Sequence, residues 1–226
     1  YYLCRQLKGG GMEIFMYEFV EKRIADRYRS DCSATLKKVQ AVLLEEYDIN
    51  TQFTLVGSGA RNLITRDGNG PFDLDYKIII LDMPDKYWQN LHKLKETIRC
   101  VFNGVEKNEF FSDGKDSKSV ITALLHFKDT PDIEFSFDIA ILSKNKNEHY
   151  QRLIHNKWLN CFYWNEVPNS AKVRKRADIL KHNGLWGEVR NTYLAKKNDY
   201  LRYRDTRHSS FVIYVETINE VYNRYF

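Results

Sequence analysis

Two aspartates separated by a single residue begin the most apolar stretch of this 226-residue chain. Asp73 and Asp75 alternate with Leu74 and Tyr76 and lead directly into three isoleucines and a leucine at 78–81. Such a run is typical of a strand buried in a sheet, and because side chains alternate between faces, both carboxylates point the same way. Two like charges at that spacing repel each other unless a cation joins them. The stretch therefore predicts a buried strand with a cation site at one end.

A third aspartate, Asp138, lies in a second apolar strand, predicted over residues 133–142, and shares its face with small residues. A charged group in an apolar strand is costly unless it is paired or bound to a metal, although such acids also pair with arginines or cap helices. Mg²⁺ prefers oxygen ligands and takes one or two carboxylates plus substrate phosphates. We therefore interpret Asp73, Asp75 and Asp138 as catalytic ligands of Mg²⁺, with Mn²⁺ as the alternative ion.

A glycine-serine-glycine turn precedes the first carboxylates. Gly57 and Ser58 directly follow a short β-prone segment at 52–56. Backbone N–H groups at such a turn, together with the Ser58 hydroxyl, form an anion site that can contact phosphate oxygens. The alternative is that the glycine simply ends the strand. The turn matches neither a Walker loop nor the dinucleotide-binding glycine pattern.

Positive charge is concentrated in the last third of the chain. Residues 151–226 contain 14 Lys and Arg against 7 Asp and Glu, although the whole chain carries only +5. A basic part beside an acidic site suits a polyanion such as a triphosphate or a nucleic acid, and the alternative is a solvated helical surface. No apolar run reaches the ~18 residues of a membrane span. The four scattered cysteines, without CxxC spacing, favour reduced thiols in the cytoplasm.

The order of elements predicts an α+β fold, with a mixed β-sheet core that carries the carboxylates and a helical C-terminal lobe after it. Residues 1–11, which end in three glycines, are expected to be a non-native or disordered prefix. We expect the core over 12–148 and the lobe over 149–226. The predicted helices are 12–47, divided near Ser30, and 85–102, 150–159, 170–182, 185–198 and 209–225. The predicted strands are 52–56, 74–81, 120–127 and 133–142. The last two are expected to form a hairpin joined by residues 128–132. The helix at 170–182 is expected to end at Asn183-Gly184.

These residues together resemble the DNA polymerase β-like nucleotidyltransferase superfamily. Its pattern is Gly-Ser after an apolar residue, then Asp-x-Asp between apolar residues, then a carboxylate on a later strand. Here the segment GSGAR, Gly57–Arg61, is similar to the turn of archaeal CCA-adding enzymes. The strand FDIAIL around Asp138 is similar to its counterpart in oligoadenylate synthases and cyclic GMP-AMP synthase-like enzymes. The resemblance covers about residues 50–145.

The resemblance implies a Mg²⁺-dependent, template-independent enzyme that transfers NMP from ATP or another NTP to a hydroxyl acceptor and releases pyrophosphate. The acceptor is expected to be a nucleotide or an RNA. Residues 12–148 would then be the nucleotidyltransferase core. Two alternatives stay open: a catalytically silent nucleotide- or RNA-binding sensor of the same fold, and a small-molecule or toxin-type adenylyltransferase.

The C-terminal helices would close the other side of the nucleotide cleft and supply further contacts. The cations expected to bind phosphate are Arg61, Arg174, Lys175 and Lys181. The rings expected to stack on the base are Tyr193 and Tyr200, while Trp186 is interpreted as a core anchor. The segment 200–208, YLRYRDTRH, interleaves aromatic residues with arginines, which suits either an RNA grip or a charged loop between helices.

Overall fold

The structure is a computed structural model that describes residues 16–68, 70–105, 112–126, 132–203, 205 and 208–226. Its helices are α1 Lys22–Tyr47, α2 Gly57–Arg61, α3 Asp85–Trp88, α4 Leu91–Val105, α5 Ala171–His182, α6 Trp186–Arg202 and α7 Ser210–Tyr225. Its strands are β1 Tyr17–Phe19, β2 Asn50–Leu55, β3 Thr65–Asp67, β4 Phe72–Asp82, β5 Lys115–Asp116, β6 Ile121–His126, β7 Ile133–Lys144, β8 Tyr150–Asn156 and β9 Cys161–Glu166. The predicted prefix 1–11, the first residues of the predicted helix at 12–47 and nearly all of the hairpin turn 128–132 lie outside the described residues.

A mixed sheet of seven strands forms the centre of the described fold. Its main path runs β2-β4-β7-β6-β5, and β8 pairs with both β7 and β9. β4 and β7 run parallel, while the other pairs in this sheet are antiparallel. This arrangement confirms the predicted α+β class, and the antiparallel register of β6 with β7 confirms their predicted pairing.

One face of the sheet packs against α1 and α4. Leu74 and Tyr76 of β4 and Phe135, Phe137 and Ile139 of β7 are buried in this core. Each such side chain contributes about 1.5–3 kcal/mol when it leaves water. Because side chains alternate along a strand, the residues between them project from the opposite face of the sheet. That opposite face carries the aspartates.

The prediction of a helix over 150–159 is wrong, because this segment forms strand β8 and the turn that follows it. Arg152 lies opposite Leu142 of β7, and residues 151–156 of β8 also pair with β9. Backbone hydrogen bonds from two neighbouring strands outweigh the weak local preference on which the helix prediction rested. The sheet therefore extends beyond the point at which the sequence predicted that only helices remain.

The N-terminal helix also differs from its prediction. α1 begins at Lys22 and continues without a break past Ser30, where a second helix was predicted to start. Cys32 and Leu36 belong to the same buried stripe as the rest of α1, and packing of that stripe outweighs the capping tendency of serine and aspartate. The residues before it, Tyr17–Phe19, form β1, which pairs with β3.

Helices α5, α6 and α7 pack around a separate cluster of buried side chains, which Leu63 also joins. α5 ends at Asn183-Gly184 as predicted, and Gly184 has φ +71°, a left-handed conformation that glycine tolerates. Trp186 donates from Nε1 to the Arg61 carbonyl at 3.2 Å, so the helices are fastened to the end of α2. None of the described helices is long and apolar enough to cross a membrane.

Candidate active site

The three predicted metal ligands lie on one face of the sheet, where its two parallel strands adjoin. Asp75 of β4 is directly opposite Asp138 of β7, and Asp73 is opposite Ser136. Asp73 and Asp75 share a face because they are two residues apart on one strand. The pairing of β4 with β7 therefore brings together carboxylates that are distant in the sequence.

Loss of surrounding water raises the pKa of each of these carboxyl groups above its ordinary value, although Asp73 is exposed and Asp75 and Asp138 are only partly buried. The pKa of Asp75 is raised to about 6, first by burial and then by the negative charges of Asp73 and Asp138. Arg152 and Arg61 act in the opposite direction and lower the pKa of Asp75. The nearby cations thus balance the negative charge only in part, which is the condition that favours binding of a divalent cation.

Hydroxyl groups on two strands hold Asp138. Thr122 Oγ1 of β6 donates to Asp138 Oδ1 at 2.5 Å, and Ser136 Oγ donates to the same oxygen at 3.5 Å. These hydrogen bonds lower the pKa of Asp138, but burial raises it by more. Since both bonds go to Oδ1, the Oδ2 atom is left for another ligand.

The three aspartates fit a magnesium ion. Among the described residues, no three His, Cys, Asp or Glu side chains lie close enough together to hold a metal ion by themselves, and this includes the three aspartates. Mg²⁺ does not need such a group, because it takes one or two carboxylates and completes its octahedron with water and phosphate oxygens. Burial is the first cause of the raised pKa of Asp73, Asp75 and Asp138, and neighbouring carboxylates add to it at Asp75 and Asp138. A divalent ion would offset both effects.

The Asp75 carboxyl gives the first testable prediction, a fall in stability as the pH rises without divalent metal. Its pKa is about 6 in the folded protein against an ordinary 3.8, so between these values the folded state binds more protons than the unfolded state. The free energy of unfolding should therefore fall across this window, by about 3 kcal/mol from Asp75 alone. Thermal denaturation in EDTA at pH 4.5 and pH 7.5 covers the upper part of this window and should show about 2 kcal/mol of the change.

The matched variant is Asp75→Asn, which cannot ionise. At pH 7.5 in EDTA it should melt several degrees above the wild-type protein, since about 1 kcal/mol moves the midpoint by roughly 2–4 °C at this chain length. Added MgCl₂ should raise the midpoint of the wild-type protein and should raise that of the variant much less. Equal magnesium shifts in both proteins would show that Asp75 is not a ligand.

The Gly57 bend lies directly against Asp75. Gly57 has φ +63°, and a Cβ atom at this position would be 2.1 Å from Asp75 Oδ2, so both conformation and space require glycine. The Val56 N–H donates to the Asp75 carbonyl at 2.8 Å, which fastens the bend to β4. Ser58 follows at the start of α2, and its predicted contact with phosphate stays a prediction.

Arg61, at the end of α2, is held against the start of α7. Its guanidinium carbon lies 4.1 Å from the centroid of the Tyr214 ring and 5.8 Å from that of the Phe211 ring. Such cation–π contacts restrict where the guanidinium can lie, and its charge lowers the pKa of Asp75. Arg61 is therefore close to the carboxylate site, as a phosphate-binding cation must be.

A lysine that the sequence did not single out lies beside Asp73. Lys197 Nζ donates to Thr65 Oγ1 at 2.8 Å and to Ser210 Oγ at 3.4 Å, and lies 4.1 Å from the centroid of the Tyr17 ring. Burial lowers the pKa of Lys197, and the charge of Asp73 partly restores it. The sequence shows two adjacent lysines in a helix and no sign of which one turns inward. The structure shows that Lys197 places positive charge at this end of the site.

The cations predicted on α5 lie at the protein surface. Arg174 and Lys175 line a shallow depression of about 580 Å³ that includes none of the three aspartates. The Lys181 ammonium lies 4.7 Å from the centroid of the Trp186 ring, and Trp186 itself packs against the helical cluster. Phosphate binding by Arg174, Lys175 and Lys181 stays a prediction.

The two tyrosines predicted to stack on the base are engaged within the protein. Tyr193 is buried, with an exposed fraction of 1%. Tyr200 stacks on His208 with 4.2 Å between ring centroids, and its hydroxyl donates to Glu216 at 2.9 Å. Stacking on a base by either ring stays a prediction that these contacts do not favour. Three residues of the basic segment 200–208 lie outside the described residues, and its predicted RNA contact also stays a prediction.

Comparison with known proteins identifies the fold. No protein-family model matches the chain, and no curated protein matches it either. A structure of E. coli DncV bound to 3′-deoxy GTP has a TM-score of 0.60 at 10% identity, covering 96% of this chain and 72% of that chain. A mutant of the Vibrio cholerae di-nucleotide cyclase DncV with ATP and GTP has a TM-score of 0.61 at 9% identity, covering 92% and 70%. CdnC of E. coli MS115-1 with ATP has a TM-score of 0.52 at 17% identity, covering 92% and 62%.

The chain therefore has the nucleotidyltransferase fold of the polymerase β-like superfamily, which confirms the fold that the sequence motifs implied. The structures it resembles are CD-NTases, the cyclic GMP-AMP synthase-like branch of that superfamily. The chain spans less than two thirds of the length of CdnC. At these identities the likeness establishes the fold, and the activity has to be argued from the site.

Proposed function

We propose that this chain is a magnesium-dependent, template-independent nucleotidyltransferase that transfers NMP from an NTP to a hydroxyl acceptor and releases pyrophosphate. The register of β4 with β7 carries the proposal, because it sets Asp75 opposite Asp138 beside the Gly57 bend. The similar structures contain ATP, GTP or 3′-deoxy GTP, which supports an NTP as the donor here.

The carboxylates would hold Mg²⁺, or Mn²⁺ in its place, through Asp73, Asp75 and Asp138. Bound there, the ion neutralises charge on the triphosphate and lowers the pKa of the acceptor hydroxyl. Asp138, whose own pKa is raised by burial, would help to accept the hydroxyl proton. The contribution of the protein is mainly positioning, since two paired strands fix these carboxylates before any substrate binds.

The donor triphosphate would bind between the Gly57 bend and the start of α7. The N–H groups of the bend and the Ser58 hydroxyl would contact its outer phosphates. Arg61 and Lys197 would supply positive charge from the two ends of the site, since each acts on a different carboxylate, Asp75 and Asp73 respectively.

Phe211 is the ring best placed to stack on the donor base. Its exposed fraction is 50%, it follows Ser210 directly, and its ring lies 5.8 Å from the Arg61 guanidinium carbon. An exposed aromatic face beside a phosphate site is a base-stacking platform. We propose this role for Phe211 instead of Tyr193 and Tyr200.

The acceptor would be a nucleotide or an RNA. The basic C-terminal third of the chain suits a polyanion, and the Vibrio cholerae DncV structure holds ATP and GTP together, which supports a second nucleotide as acceptor. The division into a core over 12–148 and a helical lobe over 149–226 stays a proposal, as does the cytoplasmic location.

The test is incubation of the protein with Mg²⁺ and each labelled NTP in turn, with and without RNA, followed by measurement of pyrophosphate and separation of products. We expect pyrophosphate and a new labelled species with at least one nucleotide. Tight, magnesium-dependent binding of ATP with no product under any condition would favour the silent sensor. Labelling of a protein or a small molecule from lysate, with no nucleotide product, would favour the toxin-type or small-molecule adenylyltransferase.

A further inference from the structure

The turn between β8 and β9 carries two exposed apolar side chains. Trp158 has an exposed fraction of 89%, the highest among the large apolar residues that the structure describes, and that of Leu159 is 58%. Both lie at the end of the hairpin, between Asn156 and Cys161. Single exposed apolar residues are common on protein surfaces, so the surroundings of this pair decide whether it has a role.

Hydrogen bonds within the turn fix its backbone. Asn156 Oδ1 accepts from the N–H groups of Trp158 and Leu159, each at 3.1 Å. Asn160 has φ +45°, a left-handed conformation that asparagine tolerates in turns. The Asn156 side chain thus bonds to the backbone of the turn, while the two apolar side chains stay in water. A turn held in this way is pre-organised, which lowers the entropy cost of binding through its apolar residues.

A buried ion pair fastens the hairpin beneath this turn. The Lys95 side chain is 1% exposed, and its ammonium pairs with Asp116 Oδ1 and donates to the Ser117 carbonyl at 2.7 Å. His155 of β8 contacts the other Asp116 carboxylate oxygen through Nδ1, and its ring stacks on Phe162 of β9 with 4.1 Å between centroids. The negative charge of Asp116 is therefore matched by Lys95 inside the protein.

Two lysines lie beside the turn without an acidic partner. Lys157 directly precedes Trp158, and Lys118 lies between β5 and β6. Both line a pocket of about 280 Å³ together with His155, Asn156 and Tyr163, and none of the three aspartates of the candidate active site belongs to it. Over the described ranges, no Asp or Glu carboxylate lies within ion-pair distance of either lysine. Residues 149–165 contain no acid at all, so this end of the hairpin is positively charged.

The combination of an apolar turn and free lysines fits an anionic lipid surface. Tryptophan and leucine side chains can enter the headgroup region, while nearby ammonium groups attract anionic lipids. The pocket is smaller than the ~300–1,000 Å³ of most ligand sites, which suits one phosphate headgroup. A stable protein interface needs about 800 Å² on each partner, more than one turn offers. A single-stranded nucleic acid needs successive aromatic faces, but Trp158 is followed by a leucine.

We propose that the β8–β9 turn docks this chain on an anionic membrane surface. Trp158 and Leu159 would enter the headgroup region, and Lys118 and Lys157 would hold the phosphate of a lipid in the pocket beside them. Binding of this kind is peripheral, weak and reversible, and it does not require a membrane-spanning helix. The proposal is independent of the proposed function, because none of these residues belongs to the carboxylate site.

The experiment is sedimentation of the full chain with lipid vesicles. One set of vesicles is phosphatidylcholine alone, and the other is phosphatidylcholine mixed with phosphatidylserine. We expect the mixed vesicles to bind the protein more tightly, by about fivefold for each of the two lysines. High salt should weaken this preference, because it screens charges at a surface.

Variants with matched controls identify the residues responsible. Trp158→Ser should weaken binding to the mixed vesicles by about tenfold or more, the effect of keeping an aromatic ring out of an apolar environment. Tyr203→Ser should not, although its ring is 77% exposed and also follows a basic residue. The double variant Lys118→Gln/Lys157→Gln should bind both kinds of vesicle equally. Lys172→Gln, which removes an exposed lysine from α5, should keep the preference.

Quenching by brominated phosphatidylcholine in the mixed vesicles locates the inserted residue. The tryptophan fluorescence of the wild-type protein should fall on binding. Trp158→Phe should still bind, because phenylalanine is also apolar, but it should lose this quenching. Quenching that persists in Trp158→Phe would show that another surface touches the lipid and would overturn the proposal.

Three other results would also overturn it. One is absent or equal binding of the wild-type protein to the two kinds of vesicle. Another is binding of a labelled single-stranded RNA that depends on Trp158, Lys118 and Lys157 while vesicles do not bind, which would assign the turn to a nucleic acid. The third is a dimer, seen by light scattering, that Trp158→Ser dissociates while vesicles do not bind, which would assign the turn to a second copy of the chain. None of these measurements requires nucleotide turnover, so failure of the proposed function is seen separately.

Discussion

Replacement of Asp138 by alanine should lower the rate of pyrophosphate release by about a thousandfold or more. The carboxylate lies opposite Asp75 across two parallel strands, and its loss would remove a proposed metal ligand together with the group proposed to accept the hydroxyl proton. The variant should still fold, because burial and the charge of Asp73 both disfavour the ionised carboxylate in the native protein. Pyrophosphate release at saturating NTP and Mg²⁺, with circular dichroism of the same samples, measures both effects.

Two further variants separate the loss of a catalytic charge from a general disturbance of the sheet. Thr122→Val keeps the carboxylate but removes the hydroxyl that donates to it at 2.5 Å. We therefore expect the rate of pyrophosphate release to fall by about tenfold. Glu45→Ala removes an exposed acid from α1 and should leave the rate unchanged. Removal of an electrostatic catalyst lowers a rate by about a hundredfold or more. If Asp138→Ala kept more than about a tenth of the wild-type rate, Asp138 would therefore not be a metal ligand.

Much of the carboxylate site could be predicted from the sequence because strand alternation determines it. Asp73 and Asp75 share a face for the reason that any two residues at that spacing do, and the apolar residues around them require a buried strand. The position of Asp138 opposite Asp75 depends on strand pairing, which no local pattern contains. The resemblance to the polymerase β-like superfamily supplied that information, and the register of β4 with β7 agrees with it.

Long-range contacts determine the features that could not be predicted. Tyr150–Asn156 is a strand because β7 and β9 lie on either side of it, and isolated from them the segment has no clear period. Lys196 and Lys197 are adjacent in one helix, yet Lys196 pairs with Glu220 at 2.9 Å at the surface while Lys197 turns towards Thr65. Burial decides which lysine belongs to the site, and burial follows from the packing of α6 against β1 and α7.

The Gly57 bend would keep the proposed phosphate-binding turn in register with the proposed metal site. Because Asp75 Oδ2 occupies the space where any other residue would carry its Cβ, the bend and the carboxylate fit together only when residue 57 is glycine. Gly57→Ala should therefore lower the rate of pyrophosphate release by about a hundredfold or more, since misplacing a reacting group by about 1 Å has an effect of that size. It should also reduce the free energy of unfolding by at least about 1 kcal/mol, the cost of a left-handed conformation for alanine.

Two matched glycine variants separate the causes of this loss. Gly68 also has a positive φ, +52°, but a Cβ atom there meets nothing within 4 Å, so Gly68→Ala should show the cost in stability without the loss of rate. Gly187 has neither feature and lies in α6, where alanine should be neutral or slightly stabilising. A loss of rate in Gly57→Ala alone would show that contact with Asp75 couples the bend to the carboxylates. An equal fall in rate in Gly57→Ala and Gly68→Ala would indicate that backbone strain causes the effect. The Gly57 bend would then not be part of the metal site.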